Sequence, residues 1–156
     1  MNDITSYMLE QTKKILSIDS PTGFTAHAAE YVLGAYKKLG YDAKLTNKGG
    51  IFVCVNDGPD QADDPADAPI LLEAHMDTLG GMVCSINEKG RLMLSALGGM
   101  NPNNAEAENC KVYTKSGKVY DATFQLENAS VHVNGEYSDP KRTYETMEAI
   151  LDEPVK

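Results

Sequence analysis

Three consecutive residues, His75-Met76-Asp77, carry the clearest chemistry in the sequence. A neutral imidazole binds a divalent metal through one ring nitrogen. A nearby carboxylate can accept the N–H of the other nitrogen, which fixes the tautomer and makes the ligand more basic. At the end of a strand, residues i and i+2 point to the same side, so His75 and Asp77 can face one site across Met76. The triplet also has a plain structural reading, in which the aspartate makes a loop hydrogen bond and the histidine packs. Its setting favours chemistry, because it follows the apolar run Ile70 to Ala74 and precedes Gly80-Gly81. In α/β folds, ligand-binding groups collect where strands end.

Few other side chains can join this pair. Glu73 lies two residues before His75 and, by strand alternation, on the same side. His27 falls near the start of a helical pattern and reads as a surface or packing residue. His132 alternates with Val131 and Val133 in a strand-like run and points away from their face. One histidine and at most one carboxylate fall short of a zinc site, which takes three or four protein ligands.

The elements that must position the pair can be read from periodicity. Ile4, Met8, Leu9, Thr12, Ile15 and Leu16 recur at helical spacing behind Asp3, predicting a helix to about Ser17. Ser20-Pro21-Thr22-Gly23 predicts a turn, and Thr25 is placed to cap a second helix with the apolar face Ala28, Ala29, Val32, Leu33, Tyr36 and Leu39, stopped by Gly40. Tyr41 to Leu45 and the run Ile51 to Val55, joined by Asn47-Lys48-Gly49-Gly50, predict a hairpin whose second strand is buried. Asp57 to Ala68, with five aspartates and two prolines, reads as a solvated surface loop. Ile70 to Ala74 is expected as a buried strand leading into the motif. After Leu79 the texture becomes short strands at Met82–Ile86, Arg91–Ala96, Cys110–Thr114, Lys118–Leu126 and Ser130–Tyr137, which suggest a small barrel or sandwich. Tyr144, Met147 and Leu151 suggest a last helix.

Composition narrows the partners. The 156 residues are 42% hydrophobic and 24% charged, values of a globular chain, with a formal net charge of -9. That charge repels phosphate backbones and anionic lipid, and Lys13-Lys14, Lys37-Lys38 and Lys141-Arg142 are isolated basic pairs, so neither nucleic acid nor a membrane is expected as a partner. Cys54, Cys84 and Cys110 are odd in number and widely spaced, which fits neither a disulfide framework nor a zinc knuckle. The opening MNDITSYMLEQTKK lacks the basic and apolar regions of a signal peptide, so the expected location is the cytoplasm.

Taken in order, the segments resemble a known family. They are the first helix, Ser20-Pro21-Thr22-Gly23, the second helix, Asn47-Lys48-Gly49-Gly50-Ile51, Leu71 to Val83 around the motif, Gly90-Arg91-Leu92 and Leu97-Gly98-Gly99. Over nearly all of residues 1 to 155 the chain resembles the M42 metallo-aminopeptidases, the glutamyl aminopeptidase and tetrahedral aminopeptidase type. The resemblance implies an α/β fold. Residues 1–79 would be the amino-terminal part of a zinc-peptidase-like catalytic domain. Residues 80–156 would be an inserted, dimerisation-type β-barrel domain, incomplete here.

The resemblance also implies two divalent ions, zinc or cobalt, a peptide substrate losing its amino-terminal residue, and a homo-oligomer. His75 would be a metal ligand. Asp77 would have the supporting catalytic role of orienting it. The family's bridging aspartate, Glu-Glu pair, later aspartate and final histidine lie beyond the insertion, and this chain contains no Glu-Glu dipeptide. Thr78 stands where many members carry glutamate. The chain is therefore expected to be inactive alone and to hold no metal pair stably. The alternative is a non-catalytic assembly or regulatory module derived from the same fold.

Overall fold

The computed structural model describes residues 3–55 and 70–153. The acidic loop expected at 57–68 lies outside the described residues. The chain divides into two compact units, Met1–Thr78 and Leu79–Lys156.

The first unit is built on two helices and a hairpin. Helix α1, Asp3–Leu16, and helix α2, Ala26–Lys38, match the two helical patterns. Tyr31 Oη donates to Gln11 Oε1 at 2.7 Å and ties them together. Thr25 precedes α2, but its side chain makes no capping hydrogen bond, so the expected cap is absent. The other end is as expected. Gly40 adopts φ 91°, Tyr41 N bonds to Tyr36 O at 3.2 Å and Gly40 N to Lys37 O at 3.0 Å. This is the double hydrogen bond of a Schellman stop, which needs a left-handed residue after the helix.

Strands β1, Ala43–Leu45, and β2, Ile51–Val53, form the antiparallel hairpin, with Lys44 opposite Phe52. β2 is not buried, since Phe52 is 58% exposed. The cause is a thin core. Among the described residues the unit's buried positions are Ser20, Ala28, Ala29 and Ala43, and α1 buries none.

The largest departure from expectation in this unit is Ile70 to Ala74. The segment forms no strand, and Ile70, Leu71 and Leu72 are 86%, 70% and 89% exposed. A strand exists only when its backbone is paired, and among the described residues no neighbour pairs with these. The apolar sequence specifies burial that this surface does not provide.

The second unit is one antiparallel sheet. Strands β3, Gly80–Ile86, β4, Leu92–Leu97, β5, Glu108–Tyr113, β6, Val119–Leu126, and β7, Met147–Leu151, lie in the order β3-β4-β7-β6-β5. The sheet is open, with β3 and β5 as its edges, so the expected barrel closure is not among its pairings. Leu92, Phe124, Leu126, Met147 and Ala149 form the core.

Two expected elements of this unit are corrected. The final helix is strand β7, paired with β6 from Ala122↔Leu151 to Leu126↔Met147. Tyr144, Met147 and Leu151 fit a helical spacing, but Met147, Ala149 and Leu151 equally fit a period of two, and an inner strand buries Met147, Glu148 and Ala149 in succession. The strand expected at Ser130–Tyr137 is a series of turns, with Val133 N and Asn134 N both bonded to Ser130 O at 3.1 and 2.8 Å. Val131 and Val133 are 60% and 82% exposed, and Asn134 Nδ2 donates to Asn128 O at 2.9 Å, so local polar bonds replace a ladder. Arg142 anchors this excursion through two hydrogen bonds to Glu106, Nε at 2.8 Å and Nη2 at 3.1 Å.

Glu148 is fully buried inside β7. Arg91 Nη1 donates to its Oε1 at 2.6 Å and Asn87 Nδ2 to its Oε2 at 3.1 Å, which links the β3–β4 turn to the centre of the sheet. Replacing Arg91→Ala strands a buried carboxylate and is expected to cost about 2–4 kcal/mol, below the full range for buried pairs because the guanidinium is partly solvated. The measurement is amide exchange through β4 and β7, which should accelerate in that variant and largely recover in Arg91→Met/Glu148→Leu. Unchanged exchange in Arg91→Ala would show that the pair is not stabilising.

Candidate functional site

The motif is held by the turn that follows α1, not by a strand. Pro21 to Phe24 closes a tight turn through Phe24 N to Pro21 O at 2.7 Å, and Gly23 takes φ 86° at its third position. Thr22 precedes it without a positive φ, so this is a type II turn, which favours glycine where it occurs. Ser20, 1% exposed, makes two bonds to the motif. Its Oγ donates to Met76 O at 2.9 Å, and its carbonyl accepts from Thr78 N at 2.8 Å. Pro21 and Thr78 thus meet as an isolated parallel bridge.

Asp77 is bracketed by these bonds. Thr22 Oγ1 donates to its Oδ2 at 2.7 Å, and His75 Nδ1 lies 3.0 Å from its Oδ1 and 3.1 Å from its backbone carbonyl. A carbonyl oxygen and an ionised carboxylate only accept, so the geometry places the imidazole proton on Nδ1. Neutral His75 then keeps its lone pair on Nε2, and its side chain is 86% exposed. The Thr22 hydroxyl holds the Asp77 carboxyl below the ordinary aspartate range, outweighing the opposing desolvation, and the His75 ring adds a smaller lowering.

The sequence-expected pair is therefore brought together, though by a bent segment and not by strand alternation. With no strand at Ile70 to Ala74, the inference that Glu73 shares the face of His75 loses its basis. His27 lies on exposed α2 surface with its ring 5.9 Å from that of Phe24, and His132 is exposed in the turns after β6. By sequence alone, Ser20 and Thr22 are turn residues only. Nothing local in the sequence marks their contact with a motif more than fifty positions later.

The donor set bears directly on the implied metals. Among the described residues, no group of three or more His, Cys, Asp or Glu side chains could hold an ion. A dinuclear centre does not fit these residues, while a single imidazole with its supporting carboxylate does.

Residues 50–156, more than half of the chain, match the family model described as M42 glutamyl aminopeptidase. The chain belongs to the M42 family. It is 37% identical over 147 residues to the putative aminopeptidase YhfE of Bacillus subtilis (strain 168), covering 94% of this chain and 41% of that protein. It is 31% identical over 112 residues to the glutamyl aminopeptidase of Lactococcus lactis subsp. cremoris (strain MG1363), covering 71% of this chain and 30% of that one. This M42 chain thus spans well under half the length of both relatives.

Among solved structures, the dodecameric PhTET1-12s matches with a TM-score of 0.73 at 20% identity, over 94% of this chain and 40% of that one. The TET aminopeptidase of the marine sediment archaeon Thaumarchaeota archaeon SCGC AB-539-E09 matches with a TM-score of 0.73 at 18% identity, over 96% and 40%. At these identities the likeness establishes the M42 chain's fold. Among the described residues no helix is long and apolar enough to cross a membrane.

The depressed Asp77 carboxyl sets a pH dependence. A group with a lowered folded value contributes stability that is complete above the unfolded value and is lost as pH falls through the folded one. The bonds from Thr22 and His75 to Asp77 should therefore persist at neutral pH and through the ordinary carboxylate range, and weaken only below it. A carboxyl-carbon NMR titration is expected to show Asp77 ionising below a free aspartate, and an ordinary value would contradict these bonds.

Proposed function

We propose that the polypeptide carrying this sequence is a metal-dependent aminopeptidase, and that these 156 residues supply one corner of its metal site without turning over substrate by themselves. The observation that carries this reading is the orientation of His75, whose Nδ1 faces two Asp77 acceptors while its side chain is 86% exposed. In this reading His75 is a metal ligand and Asp77 sets its tautomer and direction. A bound divalent ion, zinc or cobalt, would acidify a water and polarise the carbonyl of an amino-terminal peptide bond. The peptide as substrate is supported by the aminopeptidase relatives.

Two further parts belong to the same proposal. A cytoplasmic setting is supported by the odd number and wide spacing of the three cysteines, which do not make a disulfide framework. Homo-oligomerisation is supported by the dodecameric structural neighbour.

The direct assay is cleavage of an aminoacyl-anilide with added zinc or cobalt. The 156-residue chain is expected to show none, and measurable cleavage would refute the claim that it needs further ligands. In the same sequence extended by the remainder of a family catalytic domain, cleavage is expected, with Asp77→Ala lowering kcat/KM by about 10–100-fold.

The second reading, a non-catalytic assembly module, is favoured by the exposed apolar residues Ile70, Leu71 and Leu72. Its self-assembling form requires association, so sedimentation equilibrium would show concentration-dependent oligomers. A monomer at all concentrations would remove the self-association part of this reading.

A further inference from the structure

The turn at Ser20-Pro21-Thr22-Gly23 has no task in the metal-site reading, although among the described residues it makes long-range hydrogen bonds to Met76, Asp77 and Thr78. We propose that Thr22 is a positioning residue, whose hydroxyl holds the Asp77 carboxylate in the orientation that keeps the His75 proton on Nδ1 and leaves Nε2 bare. The purpose of a bare Nε2 rests on the reading of His75 as a metal ligand. The positioning itself does not.

The argument starts from what Asp77 would do unaided. Its side chain is 38% exposed, and an aspartate in water rotates freely enough to bond solvent with either oxygen. Thr22 Oγ1 takes Oδ2 at 2.7 Å, which turns Oδ1 toward the imidazole at 3.0 Å. Thr22 can impose this because its own place is fixed. Pro21 restricts the backbone before it and Gly23 permits the positive φ after it. Buried Ser20 bonds to Met76 O on one side of Asp77 and to Thr78 N on the other. The backbone is thus pinned at both neighbours of Asp77, and the hydroxyl sets the one remaining freedom, the carboxylate rotation.

A hydroxyl that merely tied two segments together would have no effect on the histidine tautomer. Unconstrained imidazoles in water favour the proton on Nε2, so a neutral ring protonated on Nδ1 reports a directed acceptor. The chain suits the measurement because it has three histidines, and His27 and His132 serve as internal references. The experiment is a long-range proton–nitrogen NMR spectrum of the histidine-labelled 156-residue chain, at a pH above imidazole titration, for wild type, Thr22→Val, Thr22→Ala and Thr22→Ser.

Wild-type His75 is expected to be mainly Nδ1-protonated. Thr22→Val and Thr22→Ala should move it toward the Nε2-protonated form, Thr22→Ser should restore it, and His27 and His132 should not change. Backbone amide spectra report whether each variant keeps its fold, and two replacements of different bulk guard against a local packing effect of either one. A wild-type ring protonated on Nε2, or a tautomer indifferent to loss of the hydroxyl in both variants, would overturn the proposal. Zinc added in excess to wild type separates the underlying reading. A perturbed Nε2 supports His75 as a ligand, whereas an unperturbed Nε2 on a ring whose tautomer depends on Thr22 removes the ligand role and leaves the positioning role standing.

Discussion

A segment without sheet neighbours ordinarily has nothing to fix its direction, and residues 75–78 would be such a segment but for the turn after α1. Two backbone-directed bonds from Ser20 and one side-chain bond from Thr22 join positions more than fifty residues apart. The two Ser20 bonds are ordinary hydrogen bonds, worth about 0.5–1.5 kcal/mol each net. Their effect comes from arrangement, since they bracket Asp77 from both sides, and through it the imidazole. The orientation of the His75 imidazole depends on this bracket.

The same view explains why the two units differ in what they bury. The sheet of the second unit closes a core around Phe124, Leu126 and Met147, with a fully buried Glu148 satisfied by Arg91 and Asn87. The first unit buries alanines and one serine, and leaves Ile70, Leu71 and Leu72 in water. Exposing three adjacent large aliphatic residues is costly, at about 25 cal/mol per Å² of apolar surface. This exposed apolar run is the feature that favours the assembly-module reading.

Much of this was legible in the sequence, and the exceptions share a cause. Helices α1 and α2, the Gly40 stop, the β1–β2 hairpin and four of the five later strands follow from local periodicity and turn chemistry, which the chain carries within a few residues. The segment of strand β7 also fits a helix because Met147 and Leu151 satisfy both periods, and only its place between β4 and β6 decides between them. The valines at 131 and 133 alternate like a strand but have no partner. The pairing of His75 with Asp77 was legible because it is local. The role of Thr22 was not, because a contact between a turn and a distant motif leaves no pattern in one sequence. The resemblance to the M42 family, by contrast, was carried by the order of many segments and is confirmed by the match of residues 50–156.

The central claim is that this chain orients one ligand of a metal site without completing the site. Calorimetric titration of zinc into the purified 156-residue chain tests it most directly. The account predicts no tight site, only weak binding that disappears in His75→Ala. Two equivalents of tightly bound zinc, or tight binding that survives His75→Ala, would contradict it.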